Sequence, residues 1–256
     1  MSSVANLFFR LRPPAGRLPA SQVRTEPVFV HVSRRNKILI LVPCIVVVAF
    51  LMWVPPLAQT LSYHNFADRR TILDIPDFWD VISNLPFLVV GAMGLRRFRD
   101  GASRILFFGV LCTSLGSAYY HLAPDNARLF WDRLPMTIAF MSLFAIAINR
   151  RKLAVPLVLL GISSVVWWRM TDNLWPYGLV QFGTMAALLV IAARSEPGLW
   201  PVFIFYGLSK ISEHFDQQIF SMSPLSGHTI KHLLAGIATL CIYRWIRASR
   251  LEAHYT

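Results

Sequence analysis

Two histidines four residues apart, His228 and His232, open the last apolar stretch of the chain in the run His228-Thr-Ile-Lys-His232. A helix turns about 100° per residue, so positions four apart differ by about 40° around the axis and lie one turn apart. Both imidazoles therefore share a face. Such a pair suits a zinc ion, and a third protein ligand leaves an open position for water. His121 is the best third ligand, because it ends an earlier apolar stretch, Ser117-Ala-Tyr-Tyr-His121, at the membrane depth where the last one begins. Ser117 shares a helical face with His121 by the same spacing. Asp132 follows across a short loop, in Phe130-Trp131-Asp132-Arg133-Leu134-Pro135-Met136, within reach of a water at such a metal. These residue types allow metal-assisted hydrolysis, with a Lewis acid, a carboxylate to move a proton and a hydroxyl to donate a hydrogen bond.

Plainer readings exist for each group. In a soluble helix an isolated His-x3-His is commonly a surface or structural pair, and histidines from separate helices also ligate haem. Serine in an apolar helix usually bonds back to its own backbone. Trp131, Trp167, Trp168, Trp175 and Trp200 read most simply as anchors at a membrane interface. The choice between readings turns on the elements that carry these residues.

Those elements are membrane spans. Of 256 residues, 55% are hydrophobic and only 15% charged, against about 25% charged in soluble domains. A surface so poor in charge faces lipid. Apolar runs occur at 38–58, 78–95, 103–121, 129–148, 153–170, 176–193, 199–215 and 228–247, and a bilayer takes about 20 residues of helix. Each run is continuously apolar rather than alternating, which favours helices over strands. Pro135, Pro156, Pro176 and Pro201 are expected in the first turns of their helices, where a missing N–H costs nothing. The predicted fold is all-α and polytopic: a basic, disordered arm over 1–37, a first span over 38–58, a seven-helix unit over 59–247 and a tail over 248–256. The Arg-rich, acid-poor arm also has the composition of an organelle transit peptide.

A net charge of +12 in a soluble chain suggests nucleic acid; here the basic residues lie in short clusters between apolar runs, which marks cytoplasmic loops and no nucleic-acid partner. With both termini cytoplasmic, the inside segments carry 18 of the 25 Lys and Arg. The opposite side then receives nine of the 13 acids and five of the seven histidines, His64, His121, His214, His228 and His232. Ionisable groups at membrane depth usually line a cavity or a site. Glu213, His214 and Asp216 share that side, with no role in the sequence beyond support for the ligands. Cys44, Cys112 and Cys241 form no spaced framework, so neither a disulfide scaffold nor a cysteine zinc site is expected.

Ser117-x3-His121-x10-Asp132, followed far downstream by His228-x3-His232, resembles the alkaline ceramidase family. That family belongs to a superfamily of seven-helix membrane hydrolases that includes the adiponectin and progestin receptors and a GPI-lipid remodelling group. The similarity covers roughly 64–247 and leaves the first span as an addition. Asp80-Val-Ile-Ser83-Asn84 looks like the family's first-helix motif, and the segment from Tyr63 onward looks like its bacterial-type members. The resemblance implies His121, His228 and His232 as zinc ligands, Ser117 and Asp132 as catalytic groups, and a ceramide-like lipid amide as substrate. It places the protein in an inner membrane if bacterial, or in endoplasmic reticulum or Golgi if eukaryotic. Eukaryotic members also carry a calcium-binding segment, Asp-Trp-Cys-Glu-x-Asn-Tyr. Here Tyr63-His64-Asn65-Phe66-Ala67-Asp68-Arg69 stands in its place and leaves Asp68 and Asp77 as remnants, which argues against calcium dependence. Hydrolysis of another lipid ester or amide, and a receptor holding structural zinc, remain the alternatives.

Overall fold

The computed structural model of the protein describes residues 53–255. The arm over 1–37 and nearly all of the first apolar run at 38–58 lie outside them. Among the described residues the regular elements are helices. Helix α1 spans Phe78–Arg97, α2 Gly101–Leu122, α3 Asn126–Ala147, α4 Arg151–Thr171 and α5 Trp175–Arg194. Helix α6 spans Trp200–His214, α7 Asp216–Met222 and α8 Gly227–Tyr255. Helices α1 to α5 are long and apolar enough to cross a membrane by length and composition, which fits an integral membrane protein. Helix α6, at 15 residues, is shorter, and α8 opens with the ionisable His228, Lys231 and His232.

Polar caps set several helix starts. The Asp100 carboxylate accepts from Ser103 N at 3.1 Å before α2, and the Asp125 carboxylate accepts from Arg128 N at 2.7 Å before α3. Ser226 Oγ accepts from Thr229 N at 2.9 Å before α8. Each satisfies an N–H that a helix start leaves without an internal partner.

Pro156, Pro176 and Pro201 do sit in first turns, but Pro135 does not. It lies inside α3, because the Asp125 cap starts that helix at Asn126, ahead of the apolar run. An interior proline removes the hydrogen bond that would hold the carbonyl four residues back, here that of Trp131. Gly116 on α2 packs against that same carbonyl, and a Cβ at 116 would overlap its oxygen. One turn-pair further along, a Cβ at Gly109 would stand 2.8 Å from Ala139 N. Small residues on α2 thus let the two backbones close over the proline turn. Helix α1 is likewise broken at Ser83-Asn84, between Phe78–Ile82 and Leu85–Arg97. Helix α8 runs on to Tyr255, past the end of the expected span.

Neighbouring contacts run α1 to α2, α2 to α3, α3 to α5, α5 to α6, α6 to α8 and α8 back to α1, with α4 outside, chiefly against α3. The ring encloses a cavity. An apolar core closes it at the end away from the histidines, where Phe98 stacks on Phe107 and Tyr243 meets both rings edge-on. At the histidine end, residues 55–77 cross the ring as an irregular strap. Leu174 N donates to Leu57 O, Gln59 N to Asp172, Ala67 N to Asp216, and the Arg70 guanidinium to Pro224 O.

Candidate metal centre

His121 ends α2, and His228 and His232 lie in the first two turns of α8. Their ligating nitrogens all fall within 4.8 Å of one another. The three side chains are buried, at 1%, 3% and 4% exposure. His228 Nε2 faces His121 Nε2 at 3.3 Å. The group is able to hold a metal ion.

Neighbouring residues fix how two of the rings present themselves. Ser83 Oγ lies 2.8 Å from His232 Nδ1 and donates to the Asp80 carbonyl at 3.1 Å. A serine has one proton. In the arrangement that spends it on Asp80, His232 Nδ1–H donates to Ser83 and His232 Nε2 keeps its lone pair for a metal. The break in α1 at Ser83 therefore places a hydrogen-bond partner against the ring of a histidine on α8. Asp216 Oδ1 accepts from His228 N at 2.8 Å, while its Oδ2 accepts from Ala67 N at 2.9 Å. A Cβ at Gly227 would stand 2.7 Å from Asp216 Cα, so only glycine lets α8 start this close to that carboxylate. The Asp80 carboxylate, fully buried, accepts from Thr229 Oγ1 at 2.6 Å and pins the same turn. Phe66 from the strap covers the cluster, with ring centroids 4.7 Å from His121 and 4.2 Å from His228. His121 Nδ1 meets no partner among the described residues.

Ser117, Asp132 and His232 line a cavity of about 170 Å³, and His232 joins it to the other two histidines. The Ser117 hydroxyl lies close enough to the Asp132 carboxylate to favour its charged form. Each is the chain neighbour of a residue in the close contact between Gly116 and Trp131. From this polar end the lining becomes apolar, through Leu106, Val110, Phe140, Leu143, Ala238 and Ile242. From Lys231 to Ile242 the cavity follows α8, about 16 Å of helix at about 1.5 Å per residue.

Two of the five histidines gathered by sequence on one side of the membrane lie outside the cluster. His64 bonds Tyr120 Oη at 2.7 Å and Asn126 Oδ1 at 2.9 Å, and so anchors the strap. His214 is exposed and stacks edge-on with Phe215. Three basic residues at the site, Lys210, Lys231 and Arg133, were given no role by sequence, and the partners of Glu213 were not foreseen. Glu213 pairs with Lys210 at 2.8 Å and with Lys231 at 2.5 Å, and both lysines line the cavity. Arg133, beside Asp132, lines it too. The position of Lys231 inside the His-x3-His run was the available signal.

Asp68 and Asp77 each meet an arginine. Asp68 pairs with Arg70 through two guanidinium nitrogens, at 2.5 and 2.8 Å, and Asp77 pairs with Arg69 at 3.2 Å. Burial pushes the Asp68 carboxyl up, but the hydrogen bonds and charge of Arg70 outweigh it and hold the group below the usual carboxylate range. For Asp77 burial wins over Arg69, and the carboxyl is raised.

No family model matches the chain, and no curated protein matches it.

Proposed function

We propose that the chain is a zinc-dependent membrane hydrolase that cleaves the amide of a ceramide-like lipid into a long-chain base and a fatty acid. One observation carries the reading: three buried histidines converge beside a cavity whose polar end holds Ser117 and Asp132 and whose remainder is apolar. The donor set suits zinc. Two nitrogens about 2.0–2.1 Å from a tetrahedral ion are about 3.3 Å apart, and His121 and His228 present their Nε2 atoms at 3.3 Å. Three neutral imidazoles leave a fourth position open. Zinc bound there supplies Lewis acidity, polarising a carbonyl oxygen and acidifying water.

The protein's own groups do the rest. The apolar wall takes a hydrocarbon chain and sets the polar head of the lipid against Ser117 and Asp132. Hydrolysis of the amide forms a bond from the water oxygen to the carbonyl carbon and breaks the C–N bond. Asp132 accepts the proton of the attacking water and returns one to the departing nitrogen. Ser117, close to Asp132, donates to the oxygen on which negative charge develops. In this reading α1 to α6 and α8 form the seven-helix unit, with the extra span at 38–58 before it. Both termini are cytoplasmic and the metal lies toward the other side.

The test is a panel of labelled lipids, with amide-linked and ester-linked acyl chains, given to detergent-purified protein. Release of long-chain base from the amide, lost in His228→Ala and Asp132→Ala proteins that still insert, is expected. Release from esters alone moves the activity to another lipid class. Turnover of neither, with metal present, points to a receptor.

A further inference from the structure

Arg133 is buried in the wall of the cavity at 6% exposure. Its guanidinium lies 4.4 Å from the centroid of Trp168, 4.9 Å from Tyr177 and 5.5 Å from Tyr63. Nη2 donates to Gln59 Oε1 at 2.6 Å, whereas Nη1 is buried and meets no acceptor among the described residues. No carboxylate among the described residues forms an ion pair with it. Aromatic faces attract a cation, but they do not replace the hydrogen bonds a guanidinium loses on leaving water. Nearby, Lys210 and Lys231 share a single carboxylate, Glu213. The polar end of the cavity therefore carries more positive than negative side chains, and Arg133 Nη1 is left without an acceptor among the described residues.

We infer that the cavity takes a lipid bearing an anionic oxygen group, a carboxylate or a phosphate, which Arg133 holds beside Asp132 within its aromatic box. The inference rests on the hydrolase reading for the cavity as the substrate's place, and adds to it a group that holds either an acidic head group of the substrate or the released fatty acid. A planar guanidinium meets either oxyanion through paired N–H donors. The rings on its flanks hold the fork in place, and the apolar length below takes the chain.

The test is equilibrium binding of hexadecanoate, hexadecyl phosphate and uncharged hexadecanol to metal-stripped full-length protein, where no turnover occurs. Wild type is expected to bind at least one anion about tenfold or more tightly than the alcohol. Arg133→Gln should abolish that preference and leave the alcohol unchanged, and Arg133→Lys should keep part of it. Preference for hexadecanoate assigns the site to the released acid; preference for the phosphate assigns it to the head group. Equal binding of anions and alcohol by wild type overturns the inference whether or not the variants fold, as does an anion preference that survives Arg133→Gln. Because metal is absent, failure here leaves the hydrolase reading standing, and absence of hydrolysis leaves this result standing.

Discussion

Ser83 Oγ lies 2.8 Å from His232 Nδ1, on a different helix, and within hydrogen-bond reach of the Asp80 carbonyl at 3.1 Å. Such outer partners orient a ligating imidazole and commonly change metal affinity by about 10–100-fold when lost. Ser83→Ala is expected to weaken metal binding by that order while leaving the helices in place. Chelator competition on the purified variant measures it, and an affinity equal to wild type would show that Ser83 gives the ring no such support.

Gly116 sits where α2 meets the Trp131 carbonyl that Pro135 leaves without a helical partner. Backbone cannot yield as a flexible side chain does, and overpacking of this kind costs about 1–3 kcal/mol. Gly116→Ala should therefore lower thermal stability and, by parting Ser117 from Asp132, reduce turnover with little effect on metal content. A variant with wild-type melting and activity would show that the contact has slack.

Asp216 and His214 are near neighbours with opposite expectations. Loss of the Asp216 carboxylate leaves both His228 N and Ala67 N without their acceptor, a loss of about 1–3 kcal/mol for buried groups. His214 is exposed, and its removal should stay within about 0.5 kcal/mol. Unfolding of Asp216→Ala and His214→Ala in the same detergent compares them directly.

The strap carries two carboxylates that respond to pH with opposite signs. Asp68 has a depressed folded pKa, so its stabilisation is present above the unfolded pKa and is lost as pH falls through the folded one. Asp77 has a raised folded pKa, so its contribution is present in acid and lost as pH rises. Asp68→Asn should lower stability at neutral pH and flatten the acid limb. Asp77→Asn should leave neutral stability equal or higher. Melting temperature against pH in calcium-free buffer reports both, and since both acids are already paired with arginines, added calcium should not shift the curves.

Spacing alone brought His228 and His232 to one face, because four residues is close to one helical turn. Bringing His121 and Asp132 to them took the antiparallel succession of apolar runs, which the sequence shows. Pro135 was misplaced because the polar Asn126-Ala-Arg128 opening of α3 hid a helix start that Asp125 caps. Helix α7, seven residues long and polar, carries no periodic signal. Glu213, Lys210 and Lys231 were read as separate charges, since an ion pair between α6 and α8 depends on how two distant helices pack. Arg133 stood in the fourth apolar run without a role for the same reason: its aromatic box draws on Tyr63, Trp168 and Tyr177 from three other segments.

The most direct test of the metal centre is elemental analysis of zinc in detergent-purified wild type and His228→Ala. About one zinc per chain in wild type, lost in a variant that still inserts and folds, is the result expected of a three-histidine site. Wild type purified without chelator, supplied with zinc and still retaining none would contradict the account, as would undiminished zinc in His228→Ala.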